Sequence, residues 1–245
     1  LNERFDYSVK KPASTYRIIT LGDSFTFGER VNTKDNWPEK LEDILSKNCT
    51  GYARYEIINL GVSGYDIPYI IKHFNDIGKK YNSDLIIWFE SGNGFYRDME
   101  LMTPLIKACE AGIKTKNNSN EVTIQEDFAC WDDALNIIIS DTTVEDRKQK
   151  ISNWMENFFS IVGDTNVIIA SDSDIDPNHK QAIQALTNKH ENLFHTTNVS
   201  EISFKKGTTL SIYDPHPNEK GYQLIANDIY EYIISNKKLN VFCND

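Results

Sequence analysis

Four short runs along the chain are almost continuously apolar: Tyr16-Arg17-Ile18-Ile19-Thr20-Leu21, Tyr55-Glu56-Ile57-Ile58-Asn59-Leu60, Asp84-Leu85-Ile86-Ile87-Trp88-Phe89-Glu90 and Asn166-Val167-Ile168-Ile169-Ala170-Ser171. They are rich in β-branched residues and too short for helices, the pattern of strands buried on both faces. Between and after them the apolar positions recur at helical spacing, predicting helices at about 37–47, 67–80, 145–162, 178–190 and 218–235. In the last of these, Tyr222, Ile225, Ile229, Tyr232 and Ile233 form one stripe, so it packs as a surface helix with one buried face. Strands alternating with helices predict an α/β fold, a parallel sheet covered on both sides.

Residues 95–144 break this rhythm and read as a long irregular region, with the polar patch Asn117-Asn118-Ser119-Asn120 and the exposed-looking Phe128 and Trp131. A connection of this length is either a disordered insertion or a cover over a site. Because it leaves the C-terminal end of the third strand, the edge where open α/β sheets keep their chemistry, it is expected to face a ligand; surface decoration is the alternative.

The totals narrow the function classes. With 245 residues the chain is long enough for one substantial α/β core, and residues 1–245 are expected to form a single domain with an insertion at about 95–144. Lys plus Arg is 26 against 36 for Asp plus Glu, a formal charge of −10 without a basic stripe, which excludes nucleic acid as the expected partner. No apolar run approaches the ~20 residues of a membrane span. A chain that starts at Leu1 is expected to have been cut from a longer one, and an extracytoplasmic bacterial placement, through an upstream signal or anchor, is expected over a cytoplasmic one. The oligomeric state has no signature. Cys49, Cys109, Cys130 and Cys243 show no zinc spacing; Cys109 and Cys130 flank a polar segment and can pair in an oxidising compartment, while four isolated cytosolic thiols would read the same.

Candidate chemistry gathers at one sheet edge. Leu21-Gly22-Asp23-Ser24-Phe25-Thr26-Phe27-Gly28 follows the first strand and places a serine in a tight turn before a helix. Gly61-Val62-Ser63-Gly64 follows the second strand, Glu90-Ser91-Gly92-Asn93-Gly94 the third, and Tyr213-Asp214-Pro215-His216-Pro217-Asn218 precedes the last helix. A serine hydroxyl attacks only when a base takes its proton and donors receive the developing charge, and these four loops offer the base, its carboxylate and the donors.

Together these blocks resemble the SGNH, or GDSL-type, hydrolases, over about residues 16–235. The resemblance implies a three-layer α/β/α sandwich with a central parallel sheet of about five strands in flavodoxin-like order. It implies a triad of Ser24, Asp214 and His216, an oxyanion hole from Ser24, Gly64 and Asn93, and neither cofactor nor metal. Its implied activity is that of a serine esterase on a small acyl ester, with acetyl the expected acyl group, or on an acylated carbohydrate. The form of the first and last blocks resembles bacterial proteins encoded near cell-envelope polysaccharide genes. Two departures stand out: one residue, Pro215, separates Asp214 from His216 where the family usually has two, and Ser91 and Gly94 flank Asn93 where the family often has Gly and Asp. The alternatives are an O-acyltransferase to a glycan using the same groups, a phosphate- or flavin-binding flavodoxin-like module, and a catalytically silent relative.

Other residues are assigned no chemistry. Ser63 does not sit in a complete nucleophile-elbow motif. His73, His179, His190 and His195 are expected on helices or polar loops without an ordered partner. Asp172-x-Asp174-x-Asp176 resembles the opening of a calcium loop but has Pro177 and Ile183 where glycine and glutamate are needed; its other reading is a lining of the cleft.

Overall fold

A computed structural model describes residues 5–91, 94–172, 175–199, 207–212, 214–239 and 242–243. Five strands, β1 (Thr15–Leu21), β2 (Arg54–Asn59), β3 (Leu85–Glu90), β4 (Asn166–Asp172) and β5 (Leu193–Val199), form one sheet of order β2-β1-β3-β4-β5. Every pairing is parallel, with Ile18 between Ile57 and Leu85 and Trp88 between Leu21 and Ile169. This is the flavodoxin-like order, which creates a crevice at the C-terminal ends of β1 and β3 where successive connections leave to opposite sides.

Alternation along the strands builds two cores. Ile19, Leu21, Ile58, Ile86, Trp88, Val167 and Ile169 face helices α3 (Ile67–Asp76), α6 (Val144–Val162) and α7 (Pro177–Thr187). Ile18, Ile57, Leu85, Ile87, Phe89 and Ile168 face α2 (Trp37–Asn48) and α8 (Glu219–Ser235). The expected three-layer α/β/α sandwich follows from this two-sided burial. None of the described helices is long and apolar enough to cross a membrane.

The four expected strands and five expected helices are present with small changes of limit; α3 ends at Asp76, and the expected remainder of that helix becomes a 3-10 turn, Gly78–Tyr81. Two differences are larger. The fifth strand that the resemblance implies is not located by the periodicity: β5, Leu193-Phe194-His195-Thr196-Thr197-Asn198-Val199, lies at one sheet edge and lacks the continuous apolar run of the other four strands. The 95–144 region is not irregular but holds two helices, α4 (Met99–Asn117) and α5 (Ile124–Asp141). α4 carries Pro104 in its interior and buries little of its length. Asn118, at φ 48°, ends α4, so the polar patch is the turn between the helices, and a Thr123/Glu126 capping box starts α5. Met102, Ile106, Cys130, Ala134 and Ile138 make a third, small core between them, crossed by the Cys109–Cys130 disulfide. A second disulfide joins Cys49 at the end of α2 to Cys243 beyond α8.

Candidate active site

The turn after β1 is shaped by Gly22. At φ 152°, a Cβ there would overlap the Thr26 side chain and come 2.8 Å from the Phe89 carbonyl oxygen, so the chain passes against β3 only without a side chain. Asp23 then caps the short helix α1 (Ser24–Phe27), its Oδ1 accepting from the Phe25 amide at 3.0 Å. Ser24 is therefore the first helical residue, where backbone N–H groups have no partner within the helix. Gly28, at φ 88°, ends α1.

The loop after β2 is braced onto this turn. Asn59 Nδ2 donates to the Thr26 carbonyl at 2.9 Å, the Gly61 amide donates to Asn59 Oδ1 at 2.9 Å, and the Val62 amide donates to the Gly22 carbonyl at 3.2 Å. A Cβ at Gly61 would collide with the backbone of Thr26 and Phe27. Gly64 follows at φ 80°, with Trp131 of α5 over it: a Cβ there would meet the indole at 4.0 Å.

The third loop places Ser91 where its hydroxyl donates to Asp23 Oδ2 at 2.6 Å, so the serine found at the family's glycine position ties the third block to the first. Asn93 lies outside the described residues. Glu90, at the end of β3, is buried; burial foremost, then the like charge of Asp23, pushes its carboxyl up to about 8, so it is protonated at neutral pH.

The last loop brings Asp214 and His216 to Ser24. His216 Nε2 lies 2.7 Å from Ser24 Oγ and its Nδ1 lies 2.6 Å from Asp214 Oδ1, across a sequence separation of 192 between serine and histidine. Asp214 Oδ1 also accepts the His216 amide at 3.1 Å. The one-residue spacing therefore still lets the carboxylate reach the ring, because the loop folds back on itself: Leu210 N donates to the His216 carbonyl at 2.9 Å and Thr209 bridges Pro217. Asn218 closes the loop by capping α8 and donating to the Gly207 and Thr209 carbonyls at 3.0 Å. An imidazole whose Nδ1–H donates to a buried carboxylate presents Nε2 as an acceptor for the serine proton. The Phe25 ring, 5.2 Å away, and the Phe128 ring of α5, 6.4 Å away, flank the imidazole.

No family model matches the chain, and no curated protein does. Solved structures match it, several of them over nearly their whole length. A family 3 carbohydrate esterase from Clostridium thermocellum shares 18% identity, covering 94% of this chain and 100% of its own, with TM-score 0.56. A G-D-S-L family protein from Desulfitobacterium hafniense shares 17% identity (88% and 98% covered, TM-score 0.51), and the esterase EstA from Pseudoalteromonas sp. 13% (89% and 97%, TM-score 0.55). The fold is that of the SGNH hydrolases.

Within this SGNH fold, two arginines at the site were not singled out from the sequence. Arg97 Nη1 donates to Asp23 Oδ2 at 2.8 Å and reaches the Tyr65 carbonyl at 3.4 Å, while its guanidinium lies 5.9 Å from the Trp131 ring. It thus joins the first two blocks to α5. Arg30 Nε pairs with Asp214 Oδ2 at 3.3 Å. Neither belongs to a motif, and each meets its carboxylate only through the fold.

The remaining polar residues have other uses. Ser63 donates to Glu29. His195 is on β5 rather than in a loop and does have a partner, Ser171 Oγ at 2.9 Å; burial lowers it to about 4. His190 likewise is not partnerless, lying 3.2 Å from Glu156 and stacking on Phe159. His179 is buried in α7, which lowers it to about 4, and His73 is lowered by burial. Asp176 caps α7 through the Asn178 and His179 amides, whereas Asp174 lies outside the described residues.

Proposed function

We propose that this protein is a serine esterase that removes a small acyl group, acetyl in the first instance, from a carbohydrate ester of the cell envelope. The observation that carries the reading is the unbroken hydrogen-bonded series from Ser24 Oγ through His216 to Asp214. Ser24 Oγ attacks the ester carbonyl as His216 Nε2 takes its proton. His216 then returns that proton to the departing alcohol, leaving an acyl-enzyme on Ser24. Water, deprotonated by the same imidazole, attacks the acyl carbon, and the imidazolium returns the proton to Ser24 Oγ as the acid leaves. Asp214 keeps the Nδ1–H tautomer and offsets the imidazolium charge.

Charge on the tetrahedral intermediate goes to the oxyanion hole. Its proposed donors, all three taken from the resemblance, are the Ser24 and Gly64 amides and the Asn93 side chain. Loss of one such donor typically costs about 100- to 1000-fold in turnover. The carbohydrate part of the reading draws support from the carbohydrate esterase among the structural neighbours and from Phe128 and Trp131, α5 rings that lie near His216 and near Gly64 and Arg97, where a sugar can stack.

The test is covalent labelling with a fluorophosphonate and mapping of the adduct, followed by assay on acetylated sugars. A single adduct on Ser24, lost in Ser24→Ala and reduced at least about 1000-fold in His216→Ala, is the expected result. Folded protein without an adduct would sink the hydrolase reading. Acyl transfer to an added glycan that outpaces hydrolysis would replace it with a transferase.

A further inference from the structure

Arg30 is held at φ 60°, in the left-handed region; the other non-glycine residues at positive φ among those described are Ser14, Asn82 and Asn118. Asparagine tolerates that region, whereas a long side chain pays a steric penalty there. Such strain persists where surrounding contacts over-determine the conformation, and it gathers at functional sites. The contact here is the pairing of Arg30 Nε with Asp214 Oδ2 at 3.3 Å, between a side chain 48% exposed and a carboxylate 7% exposed.

The loop chemistry explains why this contact matters. With only Pro215 between Asp214 and His216, a single oxygen, Asp214 Oδ1, serves both the His216 amide and Nδ1. Rotation of the carboxylate would lose both bonds together. Arg30 holds the second oxygen, and it belongs to the segment that carries the nucleophile: the Gly28 and Glu29 amides both donate to the Ser24 carbonyl at 3.1 Å.

We infer that Arg30 is a positioning residue, which locks the Asp214 carboxylate against His216 and ties it to the turn bearing Ser24. The inference rests on the reading of Ser24, His216 and Asp214 as a catalytic triad.

Arg30→Gly and Arg30→Lys test it through the rate of fluorophosphonate labelling, kcat and KM on p-nitrophenyl acetate, and the melting temperature. Glycine accepts φ 60° without strain, and this relief offsets the added freedom of the unfolded chain, so the Arg30→Gly melting temperature stays close to the parent's. Its labelling rate and kcat fall about tenfold, a modest effect because the arginine of the ion pair is half exposed, with KM unchanged. Arg30→Lys recovers part of the rate. Unchanged rates in Arg30→Gly overturn the inference, as does a raised KM at constant kcat, which would put Arg30 on the substrate. A clear fall in melting temperature alongside the rate loss also overturns it, since Arg30 would then be propping the loop. Failure of the parent to label at Ser24 overturns the triad itself and the inference with it.

Discussion

Glu90 shares a small hollow with Asp23, Asp66, Ser91 and Arg97. Its carboxyl, raised to about 8 by burial first and by Asp23 next, keeps its proton in the folded protein while the unfolded chain releases it near the ordinary glutamate value. The unfolded state therefore binds fewer protons between about pH 4.5 and 8, and this group's contribution to stability falls as pH rises through that window. Glu90→Gln should remove that slope. Denaturant unfolding should find the variant level with the parent near pH 5 and more stable at pH 8.5; a parallel pair of curves would refute the protonated state. Gly22→Ala should destabilise by about 1–3 kcal/mol through overlap with Thr26 and the β3 backbone, and should slow labelling of Ser24 as well. Among single residues, Ser24, Asp214 and His216 were legible because each sits at an element junction with a chemical partner type nearby in its own motif. Arg30 and Arg97 were not, since a surface arginine outside a motif looks the same in a sequence whether it meets solvent or a buried carboxylate.

Among elements, the helix pair α4 and α5 is the one whose form the chain concealed. Its helices are largely exposed, one contains Pro104, and the core between them is a handful of side chains closed by the Cys109–Cys130 disulfide. Helices that bury so little depend on such a tie, because packing of an apolar face supplies most helical stability in proteins. Reduction, or the Cys109→Ser/Cys130→Ser variant, should therefore loosen this pair before the sheet. Limited proteolysis should show cutting at Asn117–Asn120 on reduction, and equal resistance of oxidised and reduced protein would count against it. α5 also carries Phe128 beside His216 and Trp131 beside Gly64 and Arg97. The double variant Phe128→Ala/Trp131→Ala should lower kcat/KM about tenfold or more on an acetylated oligosaccharide, and less on p-nitrophenyl acetate, if the pair walls the alcohol side of the cleft.

For the whole molecule, closure comes from its two ends. Cys49 and Cys243 are joined across 194 residues, and next to that bond Tyr55 donates to the Phe242 carbonyl at 2.8 Å while Phe242 stacks on Tyr16 at 3.9 Å. Cutting this bond with Cys49→Ser/Cys243→Ser should cost about 2–5 kcal/mol, measured as a shift of the unfolding midpoint without loss of the Ser24 adduct at low temperature. By itself the sequence determined four of the five strands, the helices that cover them and the order in which the serine, glycine and Asp/His loops reach one edge. Those features are written in local periodicity and in turn residues that act within a few positions of themselves. Tertiary structure decided which segment is the fifth strand, β5, whose polar alternation needs β4 to give it a place. It also decided the pairing of Cys49 with Cys243 and the clamps of Arg30 on Asp214 and Arg97 on Asp23. Each of these joins groups far apart along the chain, and a contact of that kind has no period or spacing until the sheet has brought its two ends together.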